Sequence, residues 1–292
     1  MRTAFREKKE FGDILRRCAE EYICNSPVRP VRFMEVMKHN RGCISMMLGG
    51  KKDPDGLEWK NPVVVVLGDS VTAGHFESLI PTDEKELLKF SETAELLMRK
   101  GTPLPAIEIT DARECYPERF RSKLIDKYEE TSVSVINAGI AGDSLLGMAD
   151  RLHRDVIRYD PDLVIINGAL NWSPEMGSTN IYKQLLTSVV RRIKEGTKAD
   201  IILLTPNGDL PGSILGANVP GETGTCDRAN AIREVAWEEN VCLADVYRVW
   251  EMARDRNCPW EELLANGINH PGITGHEVYA VVLMKLFDEV ES

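Results

Sequence analysis

Ser70 and His270 are the residues from which the chemistry of this chain can be read. Ser70 stands in Gly68-Asp69-Ser70, directly after the unbroken aliphatic run Val63-Val64-Val65-Val66-Leu67. His270 follows 200 positions later, in Asn269-His270-Pro271-Gly272. A serine hydroxyl is a weak nucleophile until a base takes its proton, and a histidine in reach is the usual base. The reaction that such a pair serves is acyl transfer, whose tetrahedral intermediate carries an oxyanion that fixed donors must meet. The chain offers the backbone N–H of Ser70, the N–H of Gly142 just before a helix start, and the side-chain amide of Asn171. Glycine at 142 lets the backbone approach a substrate with no Cβ in the way. Each residue alone also has a plainer reading. Gly-Asp-Ser is a common turn, Asn171 could bond its own loop backbone, and a histidine beside a turn proline is often structural.

These groups can act together only if one scaffold collects them. Five short runs read as buried strands: Val63 to Leu67, Val133 to Ile136, Leu163 to Ile166, Ile201 to Leu204 and Val241 to Leu243. Each is rich in β-branched or large aliphatic residues without strict alternation, the pattern of strands covered on both faces. Helical spacing fills the intervals. Asp143 is placed to cap a helix burying Leu145, Met148, Leu152 and Val156. Further helices are predicted over Ser178 to Lys194, over Arg228 to Glu239, and from Thr274, where Thr274-Gly275-His276-Glu277 fits a capping box. Strand alternating with helix predicts an α/β protein with a central parallel sheet of about five strands. Ligands of such sheets bind beyond the carboxyl ends of the strands. Ser70 follows the first strand, Gly139 and Gly142 the second, Asn171 the third, and His270 lies in a turn after the fifth. All fall on one edge, and this coincidence carries more weight than any one motif.

The 292 residues suit one large domain, 61–292, with residues 1–60 as an N-terminal extension packed on it. Phe5, Phe11, Ile14, Leu15 and Cys18 share a helical face, Arg32 to Lys38 fits strand or helix, and Asp53-Pro54-Asp55-Gly56 is a turn. His75 to Glu118 is a long insertion, helical near Leu87 to Arg99, of the kind that forms a pocket wall or lid. A net charge of −10 and the lack of any Lys/Arg-rich run argue against nucleic acid or an anionic membrane surface as partner. The mixed-charge start does not read as a signal peptide, and no apolar stretch reaches membrane-spanning length. Seven cysteines (18, 24, 43, 115, 226, 242 and 258) without a CxxC pair read as reduced thiols, so the expected compartment is the cytoplasm. Neither a metal nor a cofactor is expected.

Gly68-Asp69-Ser70, Asn137-Ala138-Gly139-Ile140-Ala141-Gly142-Asp143, Asn171, and Asn269-His270-Pro271 followed by Gly275-His276 closely resemble the four blocks of the GDSL/SGNH hydrolases, in order, over roughly residues 62–285. The resemblance implies a three-layer α/β/α flavodoxin-like fold and a serine esterase or lipase working through an acyl-enzyme. Ser70 would be the nucleophile, His270 the base, and Ser70, Gly142 and Asn171 the oxyanion hole. The Asn-His-Pro form resembles members acting on acetylated carbohydrates, which points to a small-molecule or carbohydrate ester, acetyl included. Two departures stand out. The third block usually reads Gly-x-Asn-Asp but here reads Ala169-Leu170-Asn171-Trp172. The acid three or four residues before the histidine is replaced by Gly267 and Asn266. An asparagine oxygen accepts from an imidazole N–H but cannot stabilise imidazolium by charge, and in the serine-protease triad the same change costs about four orders of magnitude. Asn266, Glu262, Glu261, an acid from elsewhere, or a backbone carbonyl supporting a Ser–His dyad are the candidates for holding His270. The corresponding alternatives in function are an SGNH-fold ligand-binding protein and an acyltransferase. Asp69 and Asp143 read as turn-fixing residues and His276 as a capping or supporting group. His75, Trp172 and Trp260 either line the site or pack under loops.

Overall fold

A computed structural model of the chain describes residues 7–38, 61–78, 84–101, 108–129, 131–210 and 224–288. The N-terminal part supplies α1 (Lys9–Glu21) and α2 (31–38). Next come β1 (Val63–Gly68), the one-turn α3 (Ser70–Ala73), β2 (His75–Ser78), α4 (Glu84–Arg99), β3 (Glu108–Thr110) and α5 (Tyr116–Lys127). β4 (Ser134–Gly139), α6 (Leu145–Asp150), α7 (Leu152–Asp155), β5 (Leu163–Asn167) and α8 (Thr179–Gly196) follow. The chain continues through β6 (Asp200–Leu204), α9 (Thr225–Glu238), β7 (Cys242–Ala244), α10 (Val246–Asp255) and α11 (Ile273–Met284).

The main sheet is five-stranded in the order β4-β1-β5-β6-β7, and every pairing in it is parallel. Counting only its own strands the order is 2-1-3-4-5, the flavodoxin-like winding, whose ligand crevice opens where the order reverses beside the first strand. Register settles what meets there. Gly68 stands opposite Gly139 on one side and Asn167 on the other, so the loops after β1, β4 and β5 leave the sheet at one level. β2 and β3 pair separately and antiparallel.

The unbroken aliphatic runs have a direct cause. Val64, Val66, Leu163, Ile165, Ile202 and Leu204 belong to a core completed by α1, α2, α5, α10 and α11. Their alternates Val65, Leu67, Val164, Ile166, Ile201 and Leu203 belong to a second core completed by α6 to α9. Successive strand residues point to opposite faces, and helices cover both, so the middle positions of β1, β5 and β6 are all apolar. Two helices have no counterpart in the sequence reading, α5 and α10. The second follows β7 almost at once, and its buried Val246, Val249, Trp250 and Ala253 carry the helical spacing.

Other differences lie at helix ends. α11 begins at Ile273 with Gly272 as its cap, and no capping box forms. The Thr274 hydroxyl instead accepts from Arg16 Nη2 (2.8 Å) and Glu277 pairs with Arg16 Nε (3.0 Å), so α1 has taken both side chains. Asp143 is not the cap of α6 either; Ser144 holds that position, and the helical segment breaks at Arg151 before α7. Asp53 to Gly56, Phe5 and Cys43 lie outside the described residues.

Residues 22–38 are fastened to the sheet. Ser26 Oγ accepts from Leu243 N (2.9 Å), giving a partner to the outer edge of β7. Asp200, at the start of β6, accepts from Phe33 N (2.8 Å). The segment Arg32 to Lys38, which fitted strand or helix, is helical as part of α2 and buries Phe33 and Met37, four residues apart. Phe33→Ala is expected to lower stability by about 3–5 kcal/mol, the usual cost of deleting a buried aromatic side chain. A urea midpoint shift with unchanged slope would report it; a loss below about 1 kcal/mol would mean that α2 adds little to the core.

Candidate active site

β1 ends at Gly68, and Asp69 turns the chain into α3. Asp69 caps that turn, its Oδ1 accepting from Val71 N (3.0 Å), and Gly74 closes it in the left-handed region (φ 90°). Ser70, the first residue of α3, is 6% exposed, and its N–H has no acceptor within the helix. The end of β4 presses against this turn. A Cβ on Gly139 would come within 2.3 Å of Ala73 N, and Asn137 Nδ2 donates to Thr72 O (2.8 Å).

Ser70 Oγ lies 2.9 Å from His270 Nε2 across 200 residues of chain. The other ring nitrogen, Nδ1, is 3.1 Å from the backbone carbonyl of Phe76. A carbonyl oxygen only accepts, so Nδ1 carries the proton of the neutral ring. Nε2 is then the acceptor for the Ser70 hydroxyl. Asn266 and Glu262, the residues expected to orient His270, bond to other groups. Asn266 Oδ1 accepts from the backbone N–H groups of Ile268, Asn269 and His270 (3.0, 2.9 and 2.8 Å), and Gly267 completes the turn at φ +67°. Its short amide is already satisfied by the turn that it shapes. Glu262 pairs with Lys8 at 2.7 Å. The base-bearing loop is also tied to the segment after β6: Leu210 N donates to Ile268 O and Asn207 Nδ2 to Asn269 O, both at 2.9 Å.

His276 supports the site from below. Its Nδ1 accepts from Tyr116 N (3.2 Å) and its ring packs 4.6 Å from that of Phe76, the residue whose carbonyl meets His270. Burial pushes its pKa down to about 3, so it stays neutral. His75 lies edge-on to His270, ring centres 6.3 Å apart.

The loops carrying Gly142 and Asn171 leave the sheet at the same edge as Ser70. Gly142 adopts φ +73°, and nothing lies within 4 Å of where a Cβ would sit. Asn171 Nδ2 donates one hydrogen to Asp143 O (3.0 Å), tying its loop to that of Gly142 and leaving the second amide hydrogen available. Buried Arg151 joins the nucleophile turn to this loop. Its Nη2 donates to Gly68 O (2.9 Å), Nη1 to Ala138 O (2.7 Å), and Nε to Asp143 Oδ2 (2.7 Å). Trp172, where the resembled family has an acid, is buried; its Nε1 donates to Gly177 O (2.9 Å) and its ring sits edge-on to Tyr182. Trp260 likewise packs under loops, its Nε1 donating to Trp250 O (2.9 Å). The sequence reading counted a backbone carbonyl among the candidates for holding His270 without pointing to Phe76, and the Arg151 clamp is absent from it. Arg151 left no trace there, because Asp150, Arg154 and Asp155 beside it are charged as well. Among the described residues no His, Cys, Asp and Glu cluster is arranged to hold a metal ion, and no helix is long and apolar enough to cross a membrane.

A 2-1-3-4-5 parallel sheet with a serine and a histidine in contact at its carboxyl edge belongs to the SGNH hydrolase class of α/β folds. The chain is a member of the GDSL-like lipase/acylhydrolase family, whose model matches residues 66–278, and it is an ester hydrolase. Among solved structures it is similar to Axe2, an acetylxylan esterase from Geobacillus stearothermophilus, with a TM-score of 0.55 and 21% identity over 78% of this chain and 95% of that one. It is also similar to a lipase/acylhydrolase from Enterococcus faecalis (TM-score 0.54, 20% identity, 77% and 95% covered). A third, LAE5, an alpha/beta hydrolase enzyme from the metagenome of Lake Arreo, Spain, has a TM-score of 0.54 and 20% identity over 77% and 94% of the two chains. At such identities the likeness is one of fold. No curated protein matches the chain.

Asp69 makes the nucleophile turn sensitive to pH. Its carboxyl is fully buried and its Oδ2 has no partner among the described residues. Burial pushes its pKa from 3.8 up to about 7, against the pull of the Val71 and Thr72 amides. The folded chain therefore binds more protons here than the unfolded one, and this contribution to stability is complete below about pH 4 and lost as pH rises through about 7. His276, shifted from 6.5 down to about 3, has the opposite slope over much of the same interval, so wild-type curves mix the two. Asp69→Asn keeps the acceptor for Val71 and removes the titration. Its Tm relative to wild type is expected to rise between about pH 4 and pH 8; parallel Tm curves would contradict the buried, protonated carboxyl.

Proposed function

We propose that this protein removes small acyl groups, acetyl among them, from an esterified carbohydrate or similar alcohol through an acyl-enzyme on Ser70. The observation that carries the reading is the 2.9 Å contact between Ser70 Oγ and His270 Nε2, with Nδ1 of the same ring on the Phe76 carbonyl. In this mechanism Ser70 Oγ attacks the ester carbonyl carbon as His270 Nε2 takes its proton. The oxyanion is met by the N–H groups of Ser70 and Gly142 and by the second amide hydrogen of Asn171. Collapse expels the alcohol, which takes the proton from His270, and water repeats the sequence to release the acid. The carbohydrate part of the proposal draws on the Asn269-His270-Pro271 form and on the acetylxylan esterase among the similar folds. We place the enzyme in the cytoplasm, consistent with the free thiols of Cys18, Cys24, Cys115, Cys226, Cys242 and Cys258.

The Phe76 carbonyl accepts from Nδ1 and so orients the imidazole, while the Asn266 oxygen is taken by three backbone amides. The account therefore assigns Asn266 no part in the proton transfer. Ser70→Ala is expected to reduce p-nitrophenyl acetate turnover to the uncatalysed background; equal rates for the two proteins would refute the nucleophile. Asn266→Asp is expected to change kcat by less than about tenfold, where restoring a triad acid would be worth about 10⁴-fold. A gain of several orders of magnitude would show that position 266 reaches the ring in the working enzyme. A wild type without turnover that still binds acetylated sugars would favour the ligand-binding alternative.

A further inference from the structure

Arg228 is a cation that the mechanism above does not use, in a place where cations are costly. It lies near the start of α9, its side chain is 0% exposed, and burial lowers its pKa. A buried guanidinium is tolerated when its N–H groups find acceptors, and those of Arg228 are informative. Nε donates to Ala169 O at 2.6 Å and Nη1 to Trp172 O at 3.4 Å. These carbonyls bracket Asn171, the oxyanion donor, by two residues on one side and one on the other. Nη2 donates to Thr225 Oγ1 (2.9 Å), whose hydroxyl donates to buried Asp209 Oδ2 (2.8 Å). The neighbouring Leu210 N is bonded to Ile268 O, two residues before His270. One side chain thus links the Asn171 loop to the segment that holds the base loop.

Resting on the esterase reading above, we propose that Arg228 is a positioning residue for the oxyanion hole: its guanidinium grips the carbonyls on either side of Asn171 and sets where that amide points. The other tie on the Asn171 loop, Nδ2 to Asp143 O, fixes one amide hydrogen and leaves rotation of the loop itself to be restrained from beneath. Trp172 cannot supply that restraint from its side chain, because its Nε1 is committed to Gly177 O and its ring to Tyr182. A planar fork with several fixed donors can hold two carbonyls at once; an ammonium cannot do so in the same geometry. Displacing a donor by about 1 Å costs about 100-fold in rate, so a group that only holds the loop has kinetic consequences.

A double-mutant cycle tests this, using p-nitrophenyl acetate kinetics and Tm for wild type, Arg228→Met, Asn171→Ala and the double variant. Asn171→Ala is expected to lower kcat by about 10²- to 10³-fold, as for other single oxyanion donors. Arg228→Met is expected to lower kcat by about 10- to 100-fold with KM unchanged. In the Asn171→Ala background the same change is expected to cost less than about threefold, because the group through which it acts is gone. Equal fold-losses in both backgrounds, full kcat in a folded Arg228→Met, or an Asn171→Ala enzyme as fast as wild type would overturn the assignment. If Arg228→Met does not fold, Arg228→Lys, which keeps the charge and reaches one carbonyl, takes its place in the cycle and the same outcomes decide. Ser70→Ala run in parallel separates the two readings. Turnover that survives it overturns the esterase site; turnover lost with it, beside an additive cycle, overturns Arg228 alone.

Discussion

The carbonyl oxygen of Phe76 decides what His270 can do. Placed 3.1 Å from Nδ1, it obliges that nitrogen to hold the proton, and Nε2 then faces Ser70 Oγ as an acceptor. Much of the surrounding structure serves to keep this carbonyl and this ring in place. Phe76 is fully buried and packs on His276, which takes a hydrogen bond from the backbone of Tyr116. His270 sits in a loop shaped by Asn266 and tied to Asn207 and Leu210.

The sheet provides the second half of the arrangement. Because β1, β4 and β5 end level, the serine, the glycine loop and the asparagine loop emerge at a single crevice without long excursions. The polar groups beneath them are held by two buried guanidiniums, one at the junction of α6 and α7 and one in α9. Arg151 clasps Gly68 O and Ala138 O, and Arg228 clasps Ala169 O and Trp172 O. Buried carbonyls in loops and at strand ends need donors. Arginine supplies several from one rigid plane. The same contacts that satisfy the backbone therefore also fix the loops that carry chemistry.

The sheet was legible because burial on both faces leaves the middles of β1, β5 and β6 aliphatic, and the order of blocks along the chain placed Ser70, Gly142, Asn171 and His270 on one edge. What was not legible has specific causes. The Phe76 carbonyl is a main-chain group, and no residue type announces it; Phe76 itself lies in an insertion that read as a pocket wall. Asn266 looked like a surrogate for an acid because spacing alone cannot tell that its oxygen is taken by three backbone amides. Thr274 and Glu277 have the spacing of a capping box, but Arg16 from α1 competes for both side chains, and a tertiary ion pair is invisible to a local rule. Arg228 sits at the start of a helix, where an arginine ordinarily faces water.

The central claim is that acyl transfer passes through a covalent ester on Ser70, with the proton taken by His270. Rapid-quench mass spectrometry of wild type and His270→Ala after mixing with p-nitrophenyl acetate tests it most directly. The account predicts a transient mass gain of one acetyl group, localised to the peptide carrying Ser70, formed within the first turnover by wild type and strongly slowed in His270→Ala. An acetyl group on another residue, or acetylation of Ser70 at the same rate in both proteins, would contradict it.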